Sequence, residues 1–364
     1  MSELSLHELH AGLNAQFAQV NAMEVVSTYG DTPGEYAALR NTVGVLDLSF
    51  RSRICLLGAD RKKFLHGQVT NDVNNLKTGE GCYAALITAK GKMQSDLYIF
   101  SLENELLLDF EPGLTETVSQ RLDKYIIADD VQIVDVAPHY GLLSVQGPKS
   151  AEAIQKLELD FLIPEKPLTF TSIKSEMLGD LYLVQQARAG TIGFDLFVPL
   201  NALGAVADKL IAAAKELGGR PCGWDALELA RIEAGIPRFL QDMDETNLPP
   251  ETGMERNGVS YTKGCYIGQE VIARIRTYGQ VAKALRGLRF VGDLQTLPKK
   301  GDKLFLGEKD VGYVTSAIHS PSLNANIGLG YVRREANKIG TEITLRTADG
   351  ESAVTVLEVG KFSG

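Results

Sequence analysis

Lysine, cysteine, glutamine and glutamate stand together in one eight-residue segment, Lys263-Gly264-Cys265-Tyr266-Ile267-Gly268-Gln269-Glu270. A nearby lysine favours the thiolate form of a cysteine, and glycines allow tight backbone approach or a positive φ. Cys265 is therefore a candidate nucleophile, redox-sensitive thiol or soft metal ligand. The alternative is a buried, inert cysteine at a turn. We favour the functional thiol because the segment follows a long polar loop, residues 240–262, and such loops are usually functional.

A second polar segment, Ala89-Lys90-Gly91-Lys92-Met93-Gln94-Ser95-Asp96, places an acid at the start of an apolar strand. An aspartate in this position often only caps a turn by hydrogen bonding to the backbone. If Asp96 faces a pocket instead, its carboxylate can hold an amine by a charge-assisted hydrogen bond. Asp96 is therefore a candidate catalytic or binding residue.

Motifs for a metal or a nucleotide are missing from the chain. The four cysteines include no Cys-x-x-Cys pair, and neither Gly-x-Gly-x-x-Gly nor a phosphate loop occurs. We therefore expect reduced thiols, no bound metal and no nucleotide cofactor. We interpret the isolated His66, His139 and His319 as structural.

The charge balance is acidic. With 37 Lys plus Arg against 46 Asp plus Glu, the net charge is −9, which repels a phosphate backbone, so nucleic acid is not the default partner. A local basic pocket for a small polyanion remains compatible with this balance. No stretch of about 18 apolar residues occurs, and the N-terminal residues lack the pattern of a signal peptide. We therefore expect a cytoplasmic protein without a membrane partner.

Hydrophobic patterns predict an α+β protein. Thr32-Pro33-Gly34-Glu35 predicts the start of a helix, with Thr32 as N-cap, Pro33 as the first helical residue and Glu35 as an early carboxylate. Apolar spacing predicts another helix over residues 201–217, stopped by Gly218-Gly219. Short apolar segments at 51–58, 95–100, 104–110, 181–187 and 194–199 predict strands. From about residue 285 short strands alternate, and Asp349-Gly350 is typical of a hairpin turn, which predicts a separate β domain.

Five short motifs resemble the folate-dependent aminomethyltransferases, the T-protein of glycine cleavage and its relatives. In the family's order, they are Val45-Leu46-Asp47-Leu48-Ser49, Asn71-Asp72-Val73, Val145-Gln146-Gly147-Pro148, Arg231-Ile232-Glu233-Ala234-Gly235 and Thr315-Ser316 with Ser320-Pro321. The resemblance implies a three-domain ring around a central channel, with a barrel-like C-terminal β domain. The implied domains are 1–50 with 141–245, then 51–140 with 246–284, which carries the cysteine motif, and finally 285–364.

The segment Lys263–Glu270 is similar to the signature of the YgfZ branch, which true T-proteins lack. The stretch Phe64–Val73 also resembles that branch. This resemblance implies tetrahydrofolate, or a one-carbon derivative, as cofactor in the channel with Cys265 at its edge. It also implies a role in assembling or repairing iron–sulfur clusters, with client or carrier proteins as partners.

The resemblance also assigns folate contacts. Asp96 matches an acid near the reactive folate nitrogens, Tyr83 an aromatic lining of the site, and Arg231 an arginine of the pocket. Asp195 falls where T-proteins have a glutamate that grips the pterin, a task suited to a carboxylate because the pterin edge presents adjacent N–H donors. The chain departs from the family in Ser95, which replaces an acid, and in a loop at 188–193 that is shorter and lacks a tyrosine.

Three functions remain open from the sequence. The first is a folate-binding factor for iron–sulfur proteins that acts through Cys265. The second is an enzyme, a tetrahydrofolate-dependent aminomethyl or one-carbon transferase, in which Asp96 orients or protonates an amine. The third is a non-catalytic, folate-dependent docking module that uses its C-terminal β domain.

Overall fold

The computed structural model describes residues 3–292, 294, 296–348 and 350–362. Within them the chain forms eight α-helices, two 3₁₀ helices (Pro249–Glu251 and Met254–Arg256) and nineteen strands. The α-helices are α1 (His7–Gly12), α2 (Thr32–Asn41), α3 (Arg61–His66), α4 (Thr115–Asp123), α5 (Ser150–Gln155), α6 (Leu200–Glu216), α7 (Trp224–Glu233) and α8 (Gln269–Tyr278). The strands are β1 (Gln16–Val20), β2 (Met23–Thr28), β3 (Gly44–Asp47), β4 (Ser52–Leu57), β5 (Gly81–Ile87), β6 (Met93–Ser101), β7 (Leu106–Phe110), β8 (Gln132–Asp135), β9 (Tyr140–Gln146), β10 (Phe170–Ser175), β11 (Gly179–Gln185), β12 (Gly193–Pro199), β13 (Arg220–Pro221), β14 (Lys283–Phe290), β15 (Lys303–Leu306), β16 (Lys309–Ser320), β17 (Ala325–Arg333), β18 (Glu342–Thr347) and β19 (Gly350–Leu357).

Two compact units divide the chain. The first unit comprises Met1–Gln68, Asp72–Ala84 and Leu97–Ala230. The second unit comprises Val69–Asn71, Ala85–Asp96 and Arg231–Gly364. Strands β5 and β6 and helix α7 each run from one unit into the other. The predicted division into three domains stays a prediction.

The first unit contains a six-stranded sheet with the order β10-β11-β12-β9-β3-β13. One face of this sheet packs against α5 and α6 through a buried apolar cluster that includes Val145, Phe194 and Leu196. Because side chains alternate along a strand, Ser144 and its register partner Asp195 lie on the opposite face. We call this opposite side the inner face.

A five-stranded sheet has the order β5-β6-β7-β4-β8. Asp109 on β7 is the register partner of Arg53 on β4 and of Tyr98 on β6, so these three side chains lie on one face. That face and the inner face of the six-stranded sheet contribute to one buried cluster, whose members include Leu46, Cys55, Phe100, Leu107, Val184 and Phe197. The polar side chains of both faces therefore lie beside a shared apolar core.

The second unit contains a closed barrel with the strand order β14-β17-β16-β15-β18-β19. Its interior is filled by alternate apolar side chains such as Leu288, Val314, Val332 and Val356, which are fully buried. The barrel confirms the predicted C-terminal β domain, and the mixed helices and sheets confirm the α+β class. Asp349 of the predicted hairpin turn lies outside the described residues.

Local signals explain boundaries of α6 and α2. Helix α6 buries Leu203, Val206 and Leu210 along one stripe, and it ends before Gly218, which has a φ of 80°. Helix α2 starts one residue before the predicted first helical residue, Pro33, because the N-cap is Asp31, whose carboxylate accepts a hydrogen bond from Gly34 N at 3.0 Å. Thr32 is therefore the first helical residue instead of the cap.

Candidate functional site

Asp195 lies on the inner face of the six-stranded sheet and is fully buried. Its Oδ1 accepts a hydrogen bond from Ser144 Oγ at 2.7 Å, and its Oδ2 accepts one from Arg188 Nε at 2.8 Å. Arg188 Nη2 lies 2.6 Å from the same Oδ2. Both carboxylate oxygens are therefore engaged within the first unit.

Arg188 also joins Asp195 to the second sheet. Its Nη2 donates to Asp109 Oδ2 at 2.9 Å, while Asp109 Oδ1 accepts from Arg51 Nε at 2.9 Å, and Arg51 Nη1 donates to Glu111 at 3.0 Å. Burial alone would raise the pKa of Asp109, but the guanidinium groups of Arg51 and Arg188 outweigh it and hold that pKa below its usual range. These residues form a buried chain of alternating charges, which we call the ionic chain.

Gln146 fixes the backbone from which Arg188 projects. Its Oε1 accepts hydrogen bonds from Arg188 N at 2.9 Å and Ala189 N at 3.4 Å, and its Nε2 donates to Ser144 Oγ at 2.9 Å and Gln186 O at 3.0 Å. A Cβ on Gly193 would overlap the Gln146 carboxamide. Glycine at position 193 therefore leaves the space in which Gln146 holds the loop.

Two tyrosines adjoin the ionic chain. Tyr83 and Tyr98 are partly exposed, and their rings stack at 4.8 Å between centroids with an interplanar angle of 30°. The Arg188 Cζ lies 5.6 Å from the Tyr98 ring centroid. Aromatic rings beside a guanidinium can receive a flat, polar ligand ring by stacking and hydrogen bonding. We call Tyr83, Tyr98 and Arg188 the tyrosine–arginine cluster.

In the second unit, the cysteine motif is anchored on both sides of an exposed Cys265. Lys263 is buried, and its Nζ donates to Val69 O at 2.7 Å and Asn71 O at 2.9 Å. Gly268 adopts φ 80° just before α8, where a Cβ would overlap the carbonyl oxygen of Thr88. Because Cys265 is exposed, the alternative of a buried cysteine is wrong, and its chemical role stays a prediction.

The other motif residues differ in exposure. Tyr266 is buried, and desolvation raises its pKa to about 12, while the Lys263 ammonium lies 4.7 Å from its ring centroid. Gly264 and Glu270 are exposed, and Gln269 is partly exposed. Glu270 stands in the first turn of α8, where a carboxylate interacts favourably with the helix dipole.

Asp96 and Arg231 also belong to the second unit, and both are buried. Arg231 Nη1 donates to Asp242 Oδ2 at 2.6 Å and Nη2 donates to Ser316 Oγ at 3.2 Å. Ser316 Oγ and Thr315 Oγ1 donate to Asp242 Oδ1 at 2.6 and 2.7 Å. Thr315-Ser316, noted in the sequence only as a motif, thus holds the acid that pairs with Arg231.

The structure brings Tyr83 and Asp195 into one network through Tyr98 and Arg188 within the first unit. Asp96, Arg231 and Cys265 belong to the second unit, so the convergence of all five residues on one channel stays a prediction. Arg188, Tyr98 and Asp109 were not among the site residues predicted from the sequence. One signal was available: Asp109 interrupts the apolar run Leu106–Phe110, and a charge in such a run requires a buried partner.

A cavity of about 410 Å³ lies in the first unit and is lined by none of the predicted site residues. Glu3 and Glu24 line it, and with His7 they form a group in the described residues whose ligand atoms lie within 4.8 Å of one another. His7 Nδ1 already pairs with Glu24 Oε2 at 2.9 Å. The expectation of no bound metal stays a prediction.

Among the described residues, no helix is both long enough and apolar enough to cross a membrane.

Comparison with known proteins extends the fold assignment. Over 99% of this chain and 97% of the other, the structure superposes on the glycine cleavage system aminomethyltransferase T of Bartonella henselae, with a TM-score of 0.88 at 22% identity. The predicted T-protein-like fold is therefore confirmed.

Sequence relatives agree with the fold. An aminomethyltransferase of Shouchella clausii is 28% identical over 93% of this chain and 91% of that protein, and one of Caldanaerobacter subterraneus is 27% identical over 94% and 91%. Residues 6–260 match the GCVT N-terminal domain, and residues 283–359 match the glycine cleavage T-protein C-terminal barrel domain. The chain therefore belongs to the glycine cleavage T-protein (aminomethyltransferase) family.

Proposed function

We propose that this chain is a tetrahydrofolate-binding protein of the YgfZ type, which supports iron–sulfur cluster assembly or repair through Cys265. The observation that carries the proposal is the exposed thiol on an anchored segment. Cys55 and Cys222 are buried, and desolvation raises the pKa of both thiols. Cys265, in contrast, is open to solvent between Lys263 and Gly268, where it can contact a cluster or its carrier protein.

Folate binding rests on the family and on the chemistry of the residues. The partly exposed Tyr83 and Tyr98 offer ring faces, and Arg188, which pairs with Asp195, offers N–H donors beside them. Such a set fits a flat heterocycle with a polar edge, as in a reduced pterin. We retain Asp96 and Arg231 as proposed folate-binding residues of the second unit, and Asp96 as the proposed catalytic acid.

Replacement of Cys265 tests the proposal. In cells that depend on this protein, we expect Cys265→Ala to abolish support of an iron–sulfur enzyme, measured as that enzyme's specific activity. Folding should persist, because an exposed side chain makes a small contribution to stability. Cys82→Ala, which removes another cysteine that is not fully buried, is the matched control and should retain support. Unchanged enzyme activity with Cys265→Ala contradicts the proposal.

The names of the relatives favour a second candidate more directly. Several are called aminomethyltransferases, and transfer of a one-carbon unit to tetrahydrofolate would use Asp96 to orient or protonate the amine. The assay is formation of methylenetetrahydrofolate from an aminomethylated lipoyl carrier protein. Turnover that falls strongly with Asp96→Asn supports this function, and no turnover by the unaltered protein rejects it.

A further inference from the structure

We infer that Arg188 is the residue that contacts the polar edge of the ligand ring, and that Asp195 positions Arg188 instead of gripping the ligand itself. The inference rests on the proposed folate binding. With this assignment, Arg188 gives the site its specificity for rings that carry a carbonyl acceptor at that edge.

Asp195 has little capacity left for a ligand. Its two oxygens already accept from Ser144 and Arg188, and the residue is fully buried. A direct bidentate contact with a pterin would have to displace the arginine, and Arg188 would then keep only Asp109 of its two buried carboxylate partners. Removing one partner of a buried ion pair is strongly destabilising, which argues against that exchange.

Arg188 is the member of this pair that reaches the surface. Its side chain is 9% exposed, whereas those of Asp195 and Asp109 are 0% exposed. Burial alone would lower its pKa, but the carboxylates of Asp195 and Asp109 outweigh this and raise the pKa, so the guanidinium stays charged. Two carboxylates and the backbone contacts to Gln146 fix its direction before any ligand binds.

The tyrosine–arginine cluster supplies the rest of a ring-binding surface. The Arg188 guanidinium lies against Tyr98, which stacks on Tyr83, so a flat ring near these residues would meet aromatic faces and a cationic edge together. A carboxylate can only accept hydrogen bonds, whereas a guanidinium can only donate them. Arg188 therefore selects a ring with an acceptor, such as the 4-oxo oxygen of a pterin. If Asp195 contacted the ring directly, it would instead select the N–H donors of the ring.

Folic acid and aminopterin provide a matched pair of probes, because aminopterin carries a 4-amino group where folic acid carries the 4-oxo group. We expect the unaltered protein to bind folic acid at least about tenfold more tightly, the effect of one hydrogen bond to a charged group. Arg188→Gln should lose that preference. Tighter binding of aminopterin overturns the inference, because it indicates that a carboxylate contacts the ring.

A double-mutant cycle tests the positioning role of Asp195. We expect Asp195→Asn to weaken folic acid binding in the unaltered protein but to cost nothing further in the Arg188→Gln background, because Asp195 acts through Arg188. Equal losses in both backgrounds overturn the inference while leaving folate binding intact. Absence of any folate binding by the unaltered protein overturns the proposed folate binding as well.

Arg188→Lys covers the case in which Arg188→Gln does not fold. Lysine keeps the positive charge beside Asp109 and Asp195 but lacks the planar fork. We expect this variant to fold and to discriminate less between the two probes. Retention of the full preference by Arg188→Lys contradicts a fork-specific contact and overturns the assignment.

Discussion

Gly193→Ala perturbs the candidate site without altering any charge, because it displaces Gln146, which holds the backbone of Arg188 in the ionic chain. The added Cβ would overlap the carboxamide of Gln146, which is fully buried. That carboxamide must then move away from three hydrogen-bond partners at 2.9–3.0 Å, namely Ser144 Oγ, Gln186 O and Arg188 N. The fourth contact, to Ala189 N at 3.4 Å, is weaker.

The size of the effect follows from these contacts. At about 1 kcal/mol for each of three hydrogen bonds, we expect Gly193→Ala to lower the free energy of unfolding by about 3 kcal/mol. Urea denaturation followed by circular dichroism measures this difference. Folate affinity should fall as well, because Gln146 no longer holds the backbone of Arg188.

Gly204→Ala provides the matched control. Gly204 lies inside α6, and a Cβ there would meet Leu6 at an ordinary distance of 3.8 Å. This replacement should raise the free energy of unfolding by about 0.5–1 kcal/mol, since alanine is the better helix former. In a Gln146→Ala background, Gly193→Ala should cost much less than in the unaltered protein. If Gly193→Ala lowers the free energy of unfolding by less than about 1 kcal/mol, or by the same amount in the unaltered and Gln146→Ala proteins, the predicted overlap with Gln146 is refuted.

Asp109→Asn should destabilise the protein by about 3 kcal/mol at pH 7, because two buried guanidinium groups lose their shared carboxylate. Because the pKa of Asp109 is lower in the folded state, the ionised carboxylate stabilises the fold above the unfolded-state pKa of about 4, and this stabilisation is lost as pH falls through the folded-state pKa. In urea titrations, the difference in free energy of unfolding between the unaltered protein and Asp109→Asn should therefore shrink below about pH 4. Gly268→Ala combines a positive φ with an overlap, and its stability loss should exceed that of Gly279→Ala, where φ is 75° but no atom lies within 4 Å of the added Cβ. A thiol reagent should modify the exposed Cys265 in a fast phase, and the buried cysteines should react only after unfolding. Cys265→Ser should remove the fast phase, and a fast phase that persists in this variant contradicts the assignment.

The local elements were predictable because their signals are contained in short stretches of sequence. The apolar spacing at 201–217 predicted α6, and Gly218 stopped the helix because a glycine accepts the left-handed conformation that follows a C-terminus. Alternating short strands after residue 285 predicted a C-terminal β domain in the same way, and the family resemblance implied its barrel-like form. The prediction erred where alternatives lay side by side, as when Asp31 instead of Thr32 capped α2.

Side-chain partners were less predictable, because their separation in the chain carries no periodic signal. Arg188 meets Asp109 across 79 positions, and Lys263 reaches Val69 across 194. Glu35 resembled an ordinary first-turn acid, yet it is fully buried and accepts hydrogen bonds from Thr28 Oγ1 and Gly223 N. Only the packing of separate strands and helices buries these charged and polar groups in a low-dielectric interior, where each of them needs a hydrogen-bond or ion-pair partner.

By itself, the sequence determined the family, the α+β class, the C-terminal barrel and the segment that carries Cys265, because each depends on local pattern or on motif order. The tertiary structure decided that Asp195 is committed to Arg188 and Ser144 and that Gly193 makes room for Gln146. The physical reason is that charge pairing and steric space depend on which faces of two sheets share a core, and chain order does not specify this.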